Sequence, residues 1–211
     1  MPNWCANKYV FYTNDENKGE LLRLYNNLAA IMQESSEVKN GFEPGWLGKV
    51  AISHGIDWDT VPCRGAIENL GDYEPDDTCF TLETETAWVP TDELWEAVTA
   101  QYIGISYAYM AEEPGSEIYM NTDIEGRYLT EKYLIELCGD ALIPEGWYAN
   151  RHKPKSLDIR EYFSSFDSLA EFCVGFTGKT FGNIEELQNY FYDIFGEKNN
   201  IIVGIHEFTA E

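Results

Sequence analysis

Basic residues are scarce in this sequence. Its 211 residues include 14 lysines and arginines and three histidines against 37 aspartates and glutamates, which gives a net charge of −23. Such a surface repels nucleic-acid phosphates and anionic membranes, because binding to either depends on cations. The charge therefore disfavours nucleic acids and membranes as partners and favours a basic protein, whose approach it would accelerate. A simpler explanation, solubility alone, accounts for the same charge.

Long apolar runs and cysteine pairs are also lacking. No segment approaches the roughly 20 apolar residues of a membrane span, and Met1–Trp4 has neither the basic nor the apolar region of a secretory signal. The five cysteines form no Cys-x-x-Cys pair, and no two histidines share a helical spacing. We therefore expect a cytoplasmic location, no disulfide framework, no metal and no cofactor. The sequence does not indicate an oligomeric state.

Aromatic residues, by contrast, make up 15% of the chain, so there is enough apolar surface for a packed core. In the first half, strand and helix patterns follow one another. Strand patterns cover 8–13, 65–70, 78–84, 104–111 and 118–122, and helix patterns cover 18–35 and the residues after Thr91. This order, βαββαβ with an extra strand, predicts an α+β protein with a ferredoxin-like sandwich over 1–125.

The second half repeats the mixture of strands and helices. Strand patterns cover 133–137, 157–163 and 201–205. Between them, Ser168 with Glu171 predicts the capping box of one helix, and Asn183 with Glu186 predicts the start of another. Because no Ser/Gly/Pro-rich linker separates the halves, we expect 126–211 to be a second α+β unit packed on the first.

Four short segments of the first half resemble a known family. They are Met1-Pro2-Asn3-Trp4-Cys5-Ala6-Asn7, Pro62-Cys63-Arg64-Gly65, Thr84-Glu85-Thr86-Ala87-Trp88-Val89-Pro90 and Ala111-Glu112-Glu113-Pro114-Gly115. In this order and spacing they are similar to the YubB-type family, proteins with a ferredoxin-like domain that occur on plasmids, phages and other mobile elements. The resemblance covers Met1 to about Asp123 well and is weaker beyond, where Ile205-His206-Glu207-Phe208 is similar to the usual ending of that family. It implies the fold and a mobile-element context, but neither a biochemical activity nor catalytic residues.

Carboxylates cluster within or directly beside two of these segments. Glu83 and Glu85 lie two residues apart on a predicted strand and so share a face, and Glu112 and Glu113 end another strand. In a ferredoxin-like sheet, Glu85 and Glu112 would approach each other on the open face. Clustered carboxylates can bind a divalent cation or perform acid–base catalysis, so Glu85, Glu112 and Glu113 are the candidate catalytic residues of an enzyme hypothesis. Because no nucleophile or histidine is placed beside them, a binding surface is favoured.

Aromatic residues near these carboxylates are candidate binding residues. We expect Tyr107 or Tyr109 to lie close to the paired carboxylates on the open face, and Trp88 to contribute to a binding surface if it is exposed. A basic partner would be held by the surrounding negative charge, and this includes a partner surface that normally holds DNA.

One basic cluster, Arg151-His152-Lys153-Pro154-Lys155, offers a second binding hypothesis. Beside it, Trp147 and Tyr148 could stack on a base, so Trp147, Arg151 and Lys153 are candidate residues for single-stranded nucleic-acid binding. So few cations in such an acidic chain favour a surface loop instead. The sequence therefore predicts a non-enzymatic protein-binding module that engages a basic partner, with the enzyme and nucleic-acid hypotheses as alternatives.

Overall fold

The structure, a computed structural model, describes residues 2–33, 45–139, 143–148, 156–196 and 201–210. The chain divides into two compact units, Met1–Asp123 and Ile124–Glu211. The fold is mixed α+β with two antiparallel sheets, one of five strands and one of three. Within the described ranges, no helix is long and apolar enough to cross a membrane.

The described residues of the first unit form the five-stranded sheet and three α-helices. Its elements are β1 (Trp4–Tyr12), a 3-10 turn (Asp15–Asn17), α1 (Lys18–Gln33), α2 (Leu47–Ser53), β2 (Gly65–Leu70), β3 (Cys79–Ala87), α3 (Asp92–Thr99), β4 (Ser106–Glu113), a 3-10 turn (Pro114–Ser116) and β5 (Ile118–Asn121). The strands lie in the order β2-β3-β1-β4-β5, and each neighbouring pair is antiparallel.

Strand β1 lies at the centre of this sheet, and the alternation of its side chains determines which residues lie on each face. Tyr9 is opposite Leu82 of β3 and Tyr109 of β4, and all three side chains are buried in the core with Trp95 of α3. The neighbouring position, Lys8, points to the opposite face because successive side chains of a strand alternate. We call that opposite side the open face of the sheet.

In the part of the second unit that the structure describes, there are the three-stranded sheet and two helices. Its elements are β6 (Tyr133–Gly139), β7 (Leu157–Phe163), α4 (Phe166–Thr177), α5 (Ile184–Phe195) and β8 (Ile201–Glu207), with the strands in the order β7-β6-β8. The Asn183 side chain caps α5 by accepting a hydrogen bond from the Glu186 N–H at 2.9 Å, as the sequence predicted. Helix α4 begins three residues earlier than predicted, because Ser165 caps it by accepting from the Ser168 N–H.

The core of the second unit includes a thiol whose ionisation is coupled to folding. Cys173 of α4 is fully buried among apolar side chains, and this burial raises the pKa of its thiol from 9.0 to about 12. Because the folded-state pKa lies above the unfolded-state value, the resulting stabilisation is complete below pH 9 and is lost as the pH rises towards 12.

We therefore expect the free energy of unfolding of the second unit to fall by about 2 kcal/mol between pH 8 and pH 10.5 through this thiol. Urea denaturation at each pH measures the loss. The Cys173→Ala variant has no thiol and adds no volume to the core, so its stability should decline less steeply over the same range. Parallel pH profiles for the two proteins would show that the thiol does not contribute.

Candidate functional site

The described residues of the four motif segments named above meet at one end of the five-stranded sheet, which we call the motif end. The Trp88 N–H donates to the Asn3 carbonyl at 3.0 Å, and the Ala87 N–H donates to the Arg64 carbonyl at 2.9 Å. The position that a Cβ on Gly65 would occupy lies 2.3 Å from the Glu85 carbonyl oxygen, so strand β2 approaches β3 closely here. Segments far apart in the chain therefore form one continuous structure.

The buried side chain of Asn7 forms hydrogen bonds with two of the segments at the motif end. The Asn7 amide donates to the Thr86 hydroxyl at 2.8 Å and to the Cys5 carbonyl at 3.0 Å, and it also lies 3.3 Å from two oxygens of Thr84. The Thr86 hydroxyl in turn donates to the Val89 carbonyl at 2.8 Å. This chain of hydrogen bonds links the centre of β1 to the turn that follows β3.

Glu113, a candidate catalytic residue, caps the turn that follows β4. Its side chain is 2% exposed, and its Oε1 accepts the Gly115 N–H at 2.9 Å, which caps the turn after β4. Hydrogen bonds from Ser116 and from the turn backbone lower the pKa of this carboxyl below its ordinary value. Because side chains alternate along β4, Glu113 and Glu112 point to opposite faces of the sheet.

The remaining carboxylates line a groove on the open face. Glu85 of β3 and Glu112 of β4 lie opposite Ala6 on either side of β1, so the small alanine side chain forms the floor between them. Lys8 is directly opposite Glu83, the arrangement that favours attraction between unlike charges. A register shift in β2 between Ile67 and Asn69 includes Glu68, which also reaches the groove.

We call this feature the acidic groove. Its volume is about 260 Å³, and it is lined by Ala6, Asn7, Lys8, Glu68, Glu83, Thr84, Glu85, Met110 and Glu112. Among these described lining residues, four are carboxylates and Lys8 is the one cation. The sequence predicted that Glu85 and Glu112 lie close together. In the structure, Glu68, Glu83 and Lys8 line the same groove. The alternation of side chains along β1 and β3 is enough to predict that Lys8 and Glu83 share the face of Glu85. The register shift in β2 that brings Glu68 to the groove has no signal in the sequence.

The expectation that Tyr107 or Tyr109 lies beside these carboxylates is wrong. Both tyrosines face the helices: Tyr107 donates its hydroxyl to the Asp92 carboxylate, and Tyr109 packs on Tyr9 with ring centroids 5.4 Å apart. Burial raises the pKa of Tyr109 to about 12, with a contribution from the negative charge of Asp92. The two tyrosines therefore belong to the core and the base of α3, on the side away from the acidic groove.

Three large apolar side chains are exposed at the motif end. Trp4, Trp88 and Val89 have exposed fractions of 49%, 47% and 48%. Trp88 also has a φ of 75°, in the left-handed region that a bulky residue rarely adopts. Its backbone is held there by the hydrogen bonds to Asn3 and from Thr86 to Val89 described above. Trp88, a candidate binding residue, is thus placed where a partner can reach it.

The structure removes Trp147 from the nucleic-acid hypothesis, whereas Tyr148 is half-buried and stacks on Phe176. Trp147 is only 5% exposed, its indole N–H donates to the Tyr190 hydroxyl at 2.9 Å, and its ring packs on three phenylalanines of the second unit. A buried ring has no face free for a base, so the expected stacking by Trp147 is wrong. Arg151 and Lys153 lie outside the described residues. Arg160 forms an ion pair with Glu136 at 3.0 Å, which offsets part of its charge.

Chemically, the motif end offers oxygen acceptors and exposed indoles. Within the residues that the structure describes, no group of three histidine, cysteine, aspartate or glutamate side chains could hold a metal ion. The groove lining includes neither a thiol nor an imidazole. Comparison of the chain with protein-family models, with curated proteins and with solved structures gave no match.

Proposed function

We propose that this chain is a non-enzymatic binding protein whose first unit engages a basic surface of a partner protein through the acidic groove. The observation that carries the proposal is the convergence of Glu68, Glu83, Glu85 and Glu112 on one groove of the open face. A net charge of −23 adds a long-range field that accelerates the approach of such a partner.

The order of the elements supports a finer description of the first unit. Four strands lie in the order β2-β3-β1-β4, with α1 and α2 between β1 and β2 and with α3 between β3 and β4. This arrangement fits a ferredoxin-like sandwich, to which β5 adds a fifth strand. We propose on this basis, and on the four motif segments, a YubB-type accessory protein that acts in the cytoplasm on behalf of a mobile element.

The carboxylates of this groove are better suited to binding a basic partner than to catalysis. Glu83 and Glu85 are exposed, and an exposed carboxylate gains little from any single ion pair. Several such carboxylates in one groove can together hold an extended cationic segment, and each adds to the electrostatic selection of the partner. The partner would supply arginine or lysine side chains, and a surface that binds DNA phosphates has this composition.

The test asks whether the position of the negative charges, and not only the net charge, determines the affinity for a basic peptide. The probe is a 12-residue peptide of alternating arginine and glycine, and its dissociation constant is measured by calorimetry. We expect the Glu83→Gln/Glu85→Gln variant to bind the peptide about tenfold more weakly, since two groove charges are lost. Raising the salt from 50 to 300 mM should weaken binding by the wild-type chain strongly, because added ions screen exposed charges.

The matched control removes the same charge elsewhere. Glu185 and Asp193 are exposed on α5 of the second unit, so the Glu185→Gln/Asp193→Asn variant has the same net charge as the groove variant. Its affinity for the peptide should stay within about twofold of the wild type. Equal losses in both variants would assign binding to net charge alone, and binding insensitive to salt would contradict the electrostatic groove.

A further inference from the structure

We infer that Trp4 and Trp88 form an arginine-selective contact at the end of the acidic groove, which lets the chain distinguish arginine from lysine in a basic partner. This inference rests on the proposed function and specifies the chemistry of the partner. We call the two tryptophans together with Val89 the indole surface. Their exposed fractions are 49%, 47% and 48%, and exposed groups of large apolar side chains commonly mark interaction sites.

The sheet register places Trp4, one member of the indole surface, next to the groove. Trp4 is opposite Ala87, and two residues along β1 Ala6 is opposite Glu85. Residues two apart on a strand share a face, so the Trp4 side chain lies on the open face with Ala6 and Lys8. Glu85 is the diagonal neighbour of Trp4 across the strand pair, at about 7–8 Å in such sheets. One partner side chain can therefore reach both an indole ring and a carboxylate.

Trp88 is exposed at the cost of an unfavourable backbone conformation. Glycine adopts a φ of 75° without steric cost, whereas the backbone of a residue with a bulky side chain is strained there. Three hydrogen bonds hold this conformation: Trp88 N–H to Asn3, Val89 N–H to Ala87 and the Thr86 hydroxyl to Val89. The fold thus holds the Trp88 side chain about half exposed, with 47% of the residue's surface accessible to solvent.

Arginine fits this surface better than lysine does. A guanidinium is planar, stacks on an aromatic ring and bonds a carboxylate with two N–H groups, whereas an ammonium is a compact and strongly hydrated charge. The chain itself contains such an arrangement: the Arg23 guanidinium lies 3.9 Å from the Tyr102 ring centroid while it bonds Glu20 at 2.6 Å. A partner arginine between Trp4 and Glu85 would reproduce these two contacts.

The charge of the chain argues against other occupants. A second copy would bring a further −23 to the same surface, and a nucleic-acid strand would bring phosphates beside four carboxylates. Like charges brought together cost several kcal/mol at an interface. A basic protein segment that contains arginine is the occupant that complements both the indoles and the carboxylates.

The test compares two 12-residue peptides of equal charge, one of alternating arginine and glycine and one of alternating lysine and glycine. We expect the wild-type chain to bind the arginine peptide at least fivefold more tightly. The Trp4→Ala/Trp88→Gly variant should reduce this preference to less than twofold while its affinity for the lysine peptide stays within about twofold of the wild type. The Trp88→Gly variant alone should keep its melting temperature within a few degrees, since glycine relieves the strain.

The Trp58→Ala variant is the matched control, because Trp58 is also exposed in the first unit but packs on Trp46 and is not among the residues that line the groove. It should keep the arginine preference. Equal affinity of the wild-type chain for the two peptides would overturn the inference and leave the proposed function standing. If neither peptide binds, both proposals fail. Tryptophan quenching by a thymidine 12-mer, or self-association that is abolished in Trp88→Gly, would assign the indole surface to another occupant and overturn the inference.

Discussion

Replacing Asn7 by aspartate is expected to destabilise the first unit by about 3–5 kcal/mol at pH 8. The substitution leaves a buried carboxylate where an amide now donates to Thr86 and to the Cys5 carbonyl. Aspartate has no N–H to replace these bonds, and its charge would face carbonyl oxygens. An uncompensated buried charge of this kind costs several kcal/mol. Urea denaturation followed by circular dichroism measures the loss.

The pH dependence of this loss distinguishes a buried charge from a simple gap in packing. Burial would raise the pKa of the new carboxyl in the folded state, so protonation favours the folded variant. The deficit relative to wild type should therefore shrink as the pH falls from 8 to 5. Asn14→Asp is the matched control, because the Asn14 oxygen caps the 3-10 turn as an acceptor and aspartate keeps that role. A deficit independent of pH would contradict this explanation.

The second large effect is expected at Gly65, where Gly65→Ala should destabilise the first unit by about 2 kcal/mol or more. The added Cβ would lie 2.3 Å from the Glu85 carbonyl oxygen and 2.8 Å from the Thr86 Cγ2. Both neighbours belong to the paired strand β3, so relief of the overlap requires β2 to move. Thermal denaturation reports the loss, and hydrogen exchange locates it in the β2–β3 pair.

At a second glycine, Gly19, the same substitution is expected to change the stability in the opposite direction. A Cβ on Gly19, in the first turn of α1, meets no atom within 4 Å. Gly19→Ala should therefore stabilise the chain by up to about 1 kcal/mol, because alanine loses less backbone freedom on folding. Stabilisation by both substitutions would show that β2 does not approach β3 as closely as the structure indicates.

Asn7 also connects stability to binding. Its hydrogen bond to Thr86 continues from the Thr86 hydroxyl to the Val89 carbonyl, within the turn that holds Trp88. A variant that breaks this chain at Asn7 removes one constraint on the strained backbone of Trp88. The conformation of the indole surface therefore depends on a residue that is buried on the other side of the sheet.

Local patterns predicted most of the first sheet. Alternation and β-branched residues indicated strands at 65–70 and 78–84, and the structure has strands at Gly65–Leu70 and Cys79–Ala87. Strand β1 begins at Trp4, four residues before the predicted start at Lys8. Asn7 interrupts the apolar alternation there, and its burial is compatible with a strand because its amide is bonded by residues about 80 positions away. Such distant partners have no local signal.

The error at Tyr107 and Tyr109 was avoidable from the sequence. Odd-numbered and even-numbered residues of one strand point to opposite faces, so Glu112 could not share a face with either tyrosine. The face of Glu113 follows from the same rule. By contrast, Glu68 enters the groove at a register shift in β2, and the strain at Trp88 depends on contacts between separate segments. Neither feature can be read from periodicity.

In the second unit, the pairing of distant strands sets the order in which the chain can fold. The central strand β6 pairs with β8, so that Tyr133 meets Glu207 and Gly139 meets Ile201, whereas the sheet of the first unit is complete at Asn121. At about 5–20 residues per second of translation, the ribosome adds β8 several seconds after that point. During this interval the nascent chain presents an apolar strand without its second neighbour, which is the period when chaperones would protect it most.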